Sequence, residues 1–248
     1  MGADSGASGE LERLAEAFAE LVKAMMGEFD VHELLRVLAT RCVDVLEVEA
    51  SGLMLANSDS GLEVMVASNE RAELLELFQI QHDEGPCLEC YRSGAAIVAV
   101  VLDGGFDRWP RFAAAATAAG FTSVIAVPMR VAGKVMGVLN LFGTDEQPAP
   151  DIPAARVAQA MADVAAAAIE QVRLSQERVA LIVQLETALE SRVVIEQAKG
   201  ILAYHLDIDL QEAFLLLRHR ARNSQRLLRD VAVETIENRG GGYTADDY

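Results

Sequence analysis

The chain reads as an α+β protein: an antiparallel sheet flanked by helices, then a long linker helix, then an all-α module of three helices. Three observations lead there. Short apolar segments come in pairs separated by turn residues, 50–56 with 62–67 and 123–131 with 134–142. Such pairs are hairpins, and hairpins build antiparallel sheets. From Ala154 no proline occurs, and only Gly200 interrupts the chain before Gly240, which favours continuous helix. Residues 191–229 carry seven Lys/Arg against four Asp/Glu, net +3, whereas residues 1–190 carry 13 against 29, net −16.

The elements follow in order. Residues 1–10 are rich in Gly, Ala and Ser and are expected to be disordered. Leu11 to Met26 has apolar residues at 11, 14, 18, 21, 22 and 25, which is helical spacing. A second helix fits Val31–Leu46, with Asp30 as N-cap and Leu34, Leu35, Leu38 and Cys42 inward. The first hairpin turns at Asn57-Ser58-Asp59-Ser60-Gly61, the second at Ala132-Gly133, a pair that needs positive φ. Between them lie a helix near Glu70–Phe78, the loop Glu84-Gly85-Pro86-Cys87, a strand at 96–101 and a helix around Arg111–Ala119. Pro148, Pro150 and Pro153 close this domain, 11–153.

Residues 154–190 form the expected linker helix. Val157, Met161, Val164 and Ala168 step by four, three and four, and Ile182, Leu185, Leu189 and Val193 recur similarly. Heptad-like spacing points to a coiled coil and hence a homodimer. Gln171, Ser175 and Arg178 break the stripe, so the coil is discontinuous or shifts register. For the first half, a helix lying on its own sheet is the competing reading. Three short helices then fall within 179–238, and 239–248 is expected to be a flexible tail.

At 248 residues the chain suits one medium domain and one small one. No run reaches the roughly 20 uncharged apolar residues of a membrane span. Met1 to Glu10 lacks the basic start and apolar centre of a signal peptide. Three cysteines, an odd number, argue for reduced thiols in the cytoplasm. A net charge of −17 repels membranes and nucleic acid wherever it is not locally reversed. The basic module is such a reversal, which points to a polyanion.

Its residues carry a family resemblance. Arg192, then Ile195-Glu196-Gln197-Ala198-Lys199-Gly200-Ile201-Leu202, then Ala213-Phe214, Leu217-Arg218, Leu227 and Asp230-Val231-Ala232 resemble the ANTAR domain. The resemblance covers roughly 179–237. It implies a three-helix, dimeric RNA-binding domain that grips adjacent stem-loops in a nascent transcript and blocks terminator formation. Residues 30 to 170 resemble a GAF domain, most clearly at Val127-Pro128-Met129 and Val138-Leu139-Asn140-Leu141-Phe142. That implies a sensor module with a pocket for a small-molecule ligand, whose identity is unknown. Asn140, Phe142 and Asp145-Glu146 partly match the signature of cyclic-nucleotide-binding GAF domains. Leu141 stands where that signature has lysine, which speaks against such a ligand.

The candidate RNA-binding residues are Arg192, Lys199, Gly200, Arg218, Arg222, Asn223, Arg226 and Arg229. On the first helix Arg192, Glu196 and Lys199 share the outer face, and Gly200 lets a backbone or nucleotide approach. On the second, Leu210, Ala213, Phe214 and Leu217 are placed inward and Arg218 and Arg222 stack outside. Asn223-Ser224 is expected to cap the third helix, with Arg226 and Arg229 on its first turns. Five arginines fall between 218 and 229 without an acid. Arginine both pairs with phosphate and stacks on loop bases. Tyr204 and His205 are candidate stacking platforms, weighed against plain packing. A solvated face of salt bridges is the competing reading of all these charges.

Cys87 and Cys90, in Gly-Pro-Cys-Leu-Glu-Cys, are ligand-pocket or redox candidates. Two thiols are too few for structural zinc, even with His82 added, so no metal and no cofactor is expected. Small side chains lining the pocket are the plain alternative. Some stand-alone GAF proteins reduce free methionine sulfoxide with cysteines near the pocket, but the fused ANTAR module argues for regulation. No P-loop, Ser/His/Asp set or H-E-x-x-H appears, so no catalytic residue is expected. A DNA-binding helix-turn-helix is the remaining alternative. The absence of a glycine turn and of a neutral base-reading face between the second and third helices weighs against it.

Overall fold

The computed structural model describes residues 3–26, 30–57, 61–102, 108–147, 152–241 and 243. Ser58–Ser60 of the first turn, Pro148, Pro150 and residues 244–248 of the expected tail lie outside them. The chain divides into two compact units, Met1–Arg173 and Leu174–Tyr248.

In the first unit β1 (Ala50–Ala56), β2 (Leu62–Ala67), β3 (Ile97–Val101), β4 (Ser123–Val131) and β5 (Lys134–Gly143) form one antiparallel sheet, ordered β2-β1-β5-β4-β3. Alternation along the strands builds two cores. Leu53, Ile125, Val127, Leu139 and Leu141 pack against α1 (Ala3–Met26), α2 (Val31–Leu46) and the start of α6 (Ile152–Leu206). Met54, Val124, Ala126, Val138 and Phe142 pack against α3 (Glu70–His82), α4 (Pro86–Ser93) and α5 (Pro110–Ala118). Both residues of the β4–β5 turn are left-handed, Ala132 at φ 50° and Gly133 at 82°, the geometry that matches strand twist.

Caps set the helix starts. Asp30 accepts the His32 amide at 2.9 Å, as the sequence suggests, and Asn69 accepts that of Ala72 at 2.9 Å. Helix α5 has no cap of its own. Glu84 supplies one from the α3–α4 connection, its Oε1 taking the Arg111 and Phe112 amides at 2.6 and 3.1 Å. A carboxylate at a helix N-terminus satisfies open N–H groups and the dipole together.

In the first unit one expectation is corrected, and of the two readings of the first half of α6 the structure has the helix lying on its own sheet. Helix α1 starts at Ala3, so the segment expected to be disordered is helical from there. Its alanines favour helix, and Ala17 and Leu21 further along anchor it in the core. The first half of α6 packs on its own sheet through Ala158, Met161, Ala162, Ala165 and Ala166. One 18-residue window of α6 has a mean hydropathy of 1.2, enough by length and composition to cross a membrane. Of that window 44% is buried, and this alanine face in the core accounts for it.

In the second unit α7 (Leu210–Asn223) and α8 (Leu228–Glu237) fold onto the end of α6. Their core is Ala198, Leu202, Ala213, Leu216, Leu217, Ala221, Val231 and Ala232. Asp209 and Glu212 form a reciprocal capping box at α7. Leu210, expected inside, is exposed, because the box places it on the first turn, and Leu216 packs instead. Ser224 does not cap α8. Its hydroxyl donates back to the Arg220 carbonyl at 2.7 Å, and α8 starts without a side-chain cap. Nor is the tail loose at Tyr243, which is buried with its hydroxyl 3.0 Å from Thr235 Oγ1 and its ring 4.6 Å from the Arg220 guanidinium.

Candidate sensor core and nucleic-acid interface

Beneath α3 and α4 the sheet holds a buried polar cluster. Asn140 on β5 donates from Nδ2 to Glu76 Oε1 and Oε2 at 2.7 and 2.9 Å. Gln79 donates to the same carboxyl at 2.9 Å and accepts the Cys87 amide at 3.0 Å. Glu76, Gln79 and Asn140 are all fully buried. Two glycines make the room: a Cβ at Gly52 would collide with the Glu76 carboxyl, and one at Gly85 with the Gln79 amide. Burial pushes the Glu76 carboxyl up to about 8, although the bonds from Asn140 and Gln79 pull it down. Asn140 Oδ1 has no partner among the described residues.

The two candidate cysteines line this core. Cys87 Sγ lies 3.3 Å from Met54 Sδ, and Cys90 Sγ donates to the Ala126 carbonyl at 3.6 Å. Burial pushes Cys87 well up and Cys90 up to about 12, so both stay thiols at neutral pH. A thiolate nucleophile is therefore disfavoured where they sit. His82 is elsewhere engaged, stacked on Phe78 and bonded to its carbonyl at 3.0 Å. A cleft of about 480 Å³ opens nearby, lined by Glu84, Gly85, Leu88, Glu89, Arg92 and Trp109 among others.

The basic residues among the candidates, with Arg220 beside them, sort into two groups. Arg192, Arg218 and Arg222 are exposed, and among the described residues no acidic side chain pairs with them. The rest are committed. Lys199 is only 15% exposed, its ammonium 2.9 Å from Glu196 and 5.7 Å from the Phe214 ring centroid, so it does not stand free on the outer face. Arg226 pairs with Glu234, which also takes Arg220 at 3.1 Å, and Arg229 reaches Glu190 at 3.2 Å. The run of five arginines is acid-free only in sequence, because α6 and α8 bring the carboxylates. Arg226 lies ahead of α8 rather than on it, while Arg229 is on its first turn. Asn223 closes α7, its amide 2.7 Å from His219 Nε2. Gly200 is exposed with nothing within 4 Å of where a Cβ would stand.

The GAF domain family matches residues 29–170, more than half of the chain, and the ANTAR domain family matches 183–236. The chain belongs to the GAF family and carries an ANTAR domain behind it. Among solved structures, the GAF domain of a phosphoenolpyruvate-protein phosphotransferase from Coxiella burnetii superposes with a TM-score of 0.52 at 12% identity, covering 67% of this chain and 98% of that one. A GAF domain/HD domain protein from Geobacter sulfurreducens gives 0.50 at 18%, covering 60% and 98%. Free methionine-R-sulfoxide reductase from Neisseria meningitidis, in complex with its substrate, gives 0.50 at 17%, covering 65% and 91%. These likenesses show the fold alone. No curated protein matches the chain.

With a GAF sensor module ahead of an ANTAR module, the chain has the domain content of a regulator. Sequence reasoning passed over Glu76, because a glutamate in an amphipathic helix reads as surface. The signal was faint: Glu76 and Gln79 share a helix face with buried Ala72 and Leu75. Glu234 was missed likewise, although it neutralises two of the arginines that drew attention.

Proposed function

We propose that this chain is an RNA-binding antitermination regulator, in which the GAF module senses a small molecule and the ANTAR module engages tandem stem-loops as a dimer. The observation that carries this reading is the set Arg192, Arg218 and Arg222, exposed and without acidic partners among the described residues, on a module matching the ANTAR family. In a chain of net charge −17, three such arginines on one small module suit a polyanion. Arg218 and Arg222 stand one turn apart on α7, so a phosphate backbone or a splayed base can meet both.

The pairing element is α6. Every residue from 175 to 190 is exposed in the single chain, including Val179, Leu181, Ile182, Val183, Leu185 and Leu189. Leaving so many aliphatic side chains in water is unfavourable, and a second copy in parallel would cover them. A signal in the GAF module would act by changing the pairing or register of α6, and thereby the spacing of two ANTAR modules. At the sensing end, a ligand would have to displace or reorganise the Glu76–Gln79–Asn140 cluster, since those side chains occupy the domain interior.

The test is a titration of the full chain against tandem stem-loop RNA, single hairpins and matched duplex DNA. Salt-sensitive preference for the tandem RNA supports the reading. Equal or tighter binding to duplex DNA would replace it with a DNA-binding regulator. Thiol-dependent reduction of free methionine sulfoxide, lost in Cys87→Ser, would instead revive an enzyme.

A further inference from the structure

The end of α6 carries a groove that the arginine surface does not explain. It holds about 580 Å³ and is lined by Gln197, Gly200, Ile201, Tyr204, His205, Ile236 and Arg239. Gly200 sits inside a helix at a cost of about 1 kcal/mol relative to alanine, although the space beside it is open and would admit a side chain. One turn on, Tyr204 is 92% exposed, an aromatic ring that no described residue covers. Arg239 stands at the C′ position of α8 with φ 51°, where glycine or asparagine is the usual residue. Its amide bonds Ile236 O at 3.0 Å, and that of Gly240 bonds Thr235 O at 2.8 Å, fixing the turn. No acid pairs with the Arg239 guanidinium among the described residues.

We infer that this groove holds one unstacked base of an RNA loop, with Tyr204 as the stacking platform. The inference rests on the RNA-binding reading above and adds to it a base-specific subsite. Ile201 and Ile236 give an apolar floor, and the vacancy at Gly200 lets a flat ring lie against the helix. The Gln197 amide and the Arg239 guanidinium supply donors and an acceptor for a base edge. Planar, aromatic, with polar edges and a nearby negative backbone, a nucleobase matches each of these. A second copy's helix fits less well. The exposed aliphatic stripe of α6 ends at Val193, and Glu196, Gln197 and Gly200 follow where a seam would need apolar knobs.

The experiment is fluorescence anisotropy with a labelled tandem stem-loop RNA, using wild type, Tyr204→Ala, Tyr204→Phe and Gly200→Leu. Folding is checked by thermal melting and oligomeric state by sedimentation. Tyr204→Ala should bind about 5- to 100-fold more weakly with an unchanged salt dependence, because stacking is lost and no phosphate contact is. Tyr204→Phe should stay near wild type. Gly200→Leu should lose affinity while melting no lower than wild type, since leucine favours helix and fills open space. Replacing loop nucleotides one at a time by abasic sites should reproduce the Tyr204→Ala loss at one position and add nothing to it in that variant. Wild-type affinity in both Tyr204→Ala and Gly200→Leu, with the wild type binding RNA, would overturn the subsite and leave the function standing. Loss of the dimer in Gly200→Leu would overturn it in favour of a contact between copies. Failure of the wild type to bind any RNA would defeat the functional reading itself.

Discussion

Glu76 is a carboxyl held inside a sheet–helix core, and it makes the stability of the GAF module depend on pH. Its folded value is raised to about 8, above the ordinary carboxylate value. Its contribution is therefore fully present below about 4.5 and is lost as pH rises through about 8. Glu76→Gln should flatten the fall in urea midpoint between pH 5 and 9, and an unchanged slope would show that another group titrates. The thiols make a second prediction at this scale. Cys42, Cys87 and Cys90 are buried, and burial raises the pKa of all three. A neutral-pH disulfide reagent should label none of them until the protein unfolds; rapid labelling of Cys87 or Cys90 would restore a redox role. Ala132 offers a third: alanine in the left-handed region is strained, and asparagine is preferred there. Ala132→Asn should stabilise the chain by about 0.5–1 kcal/mol in urea unfolding.

The elements were legible to different degrees. Strand pairs, the Ala132-Gly133 turn and the Asp30 cap follow from local chemistry, and the structure has them where the residues suggested. The errors came where a tertiary partner decides. Ser224 could cap forward or bond backward, and its hydroxyl joins its own amide on the Arg220 carbonyl, at 2.7 and 3.0 Å. Tyr243 reads as tail, yet Thr235 bonds its hydroxyl and the Arg220 guanidinium lies over its ring. Helix α6 carries the prediction at this scale. Leu185 and Leu189 are exposed on the single chain, so changing both to Asp should leave both modules folded by circular dichroism and lower the melting temperature only by the stabilisation that pairing supplies. The proposed pairing predicts that wild type sediments as a dimer and the double variant as a monomer. A variant that still dimerises would remove α6 as the pairing element.

At the scale of the whole molecule, the charge division found in the sequence survives folding only in part. Glu190, Glu196 and Glu234 neutralise Arg229, Lys199, Arg220 and Arg226; helical spacing suggests only the Glu196–Lys199 pair, and folding supplies the others. Of the charged residues among the eight candidates first drawn from the pattern, that leaves Arg192, Arg218 and Arg222 to meet a partner. The measurement that tests this most directly is the slope of log Kd against log salt for tandem stem-loop RNA, in wild type and in the triple variant Arg192→Ala, Arg218→Ala, Arg222→Ala. Each phosphate contact removed lowers the slope by about 0.7–0.9. The account predicts weaker binding in the triple variant and a slope shallower by about two to three, with an unchanged melting temperature. Equal affinity and an equal slope in the two proteins would contradict it.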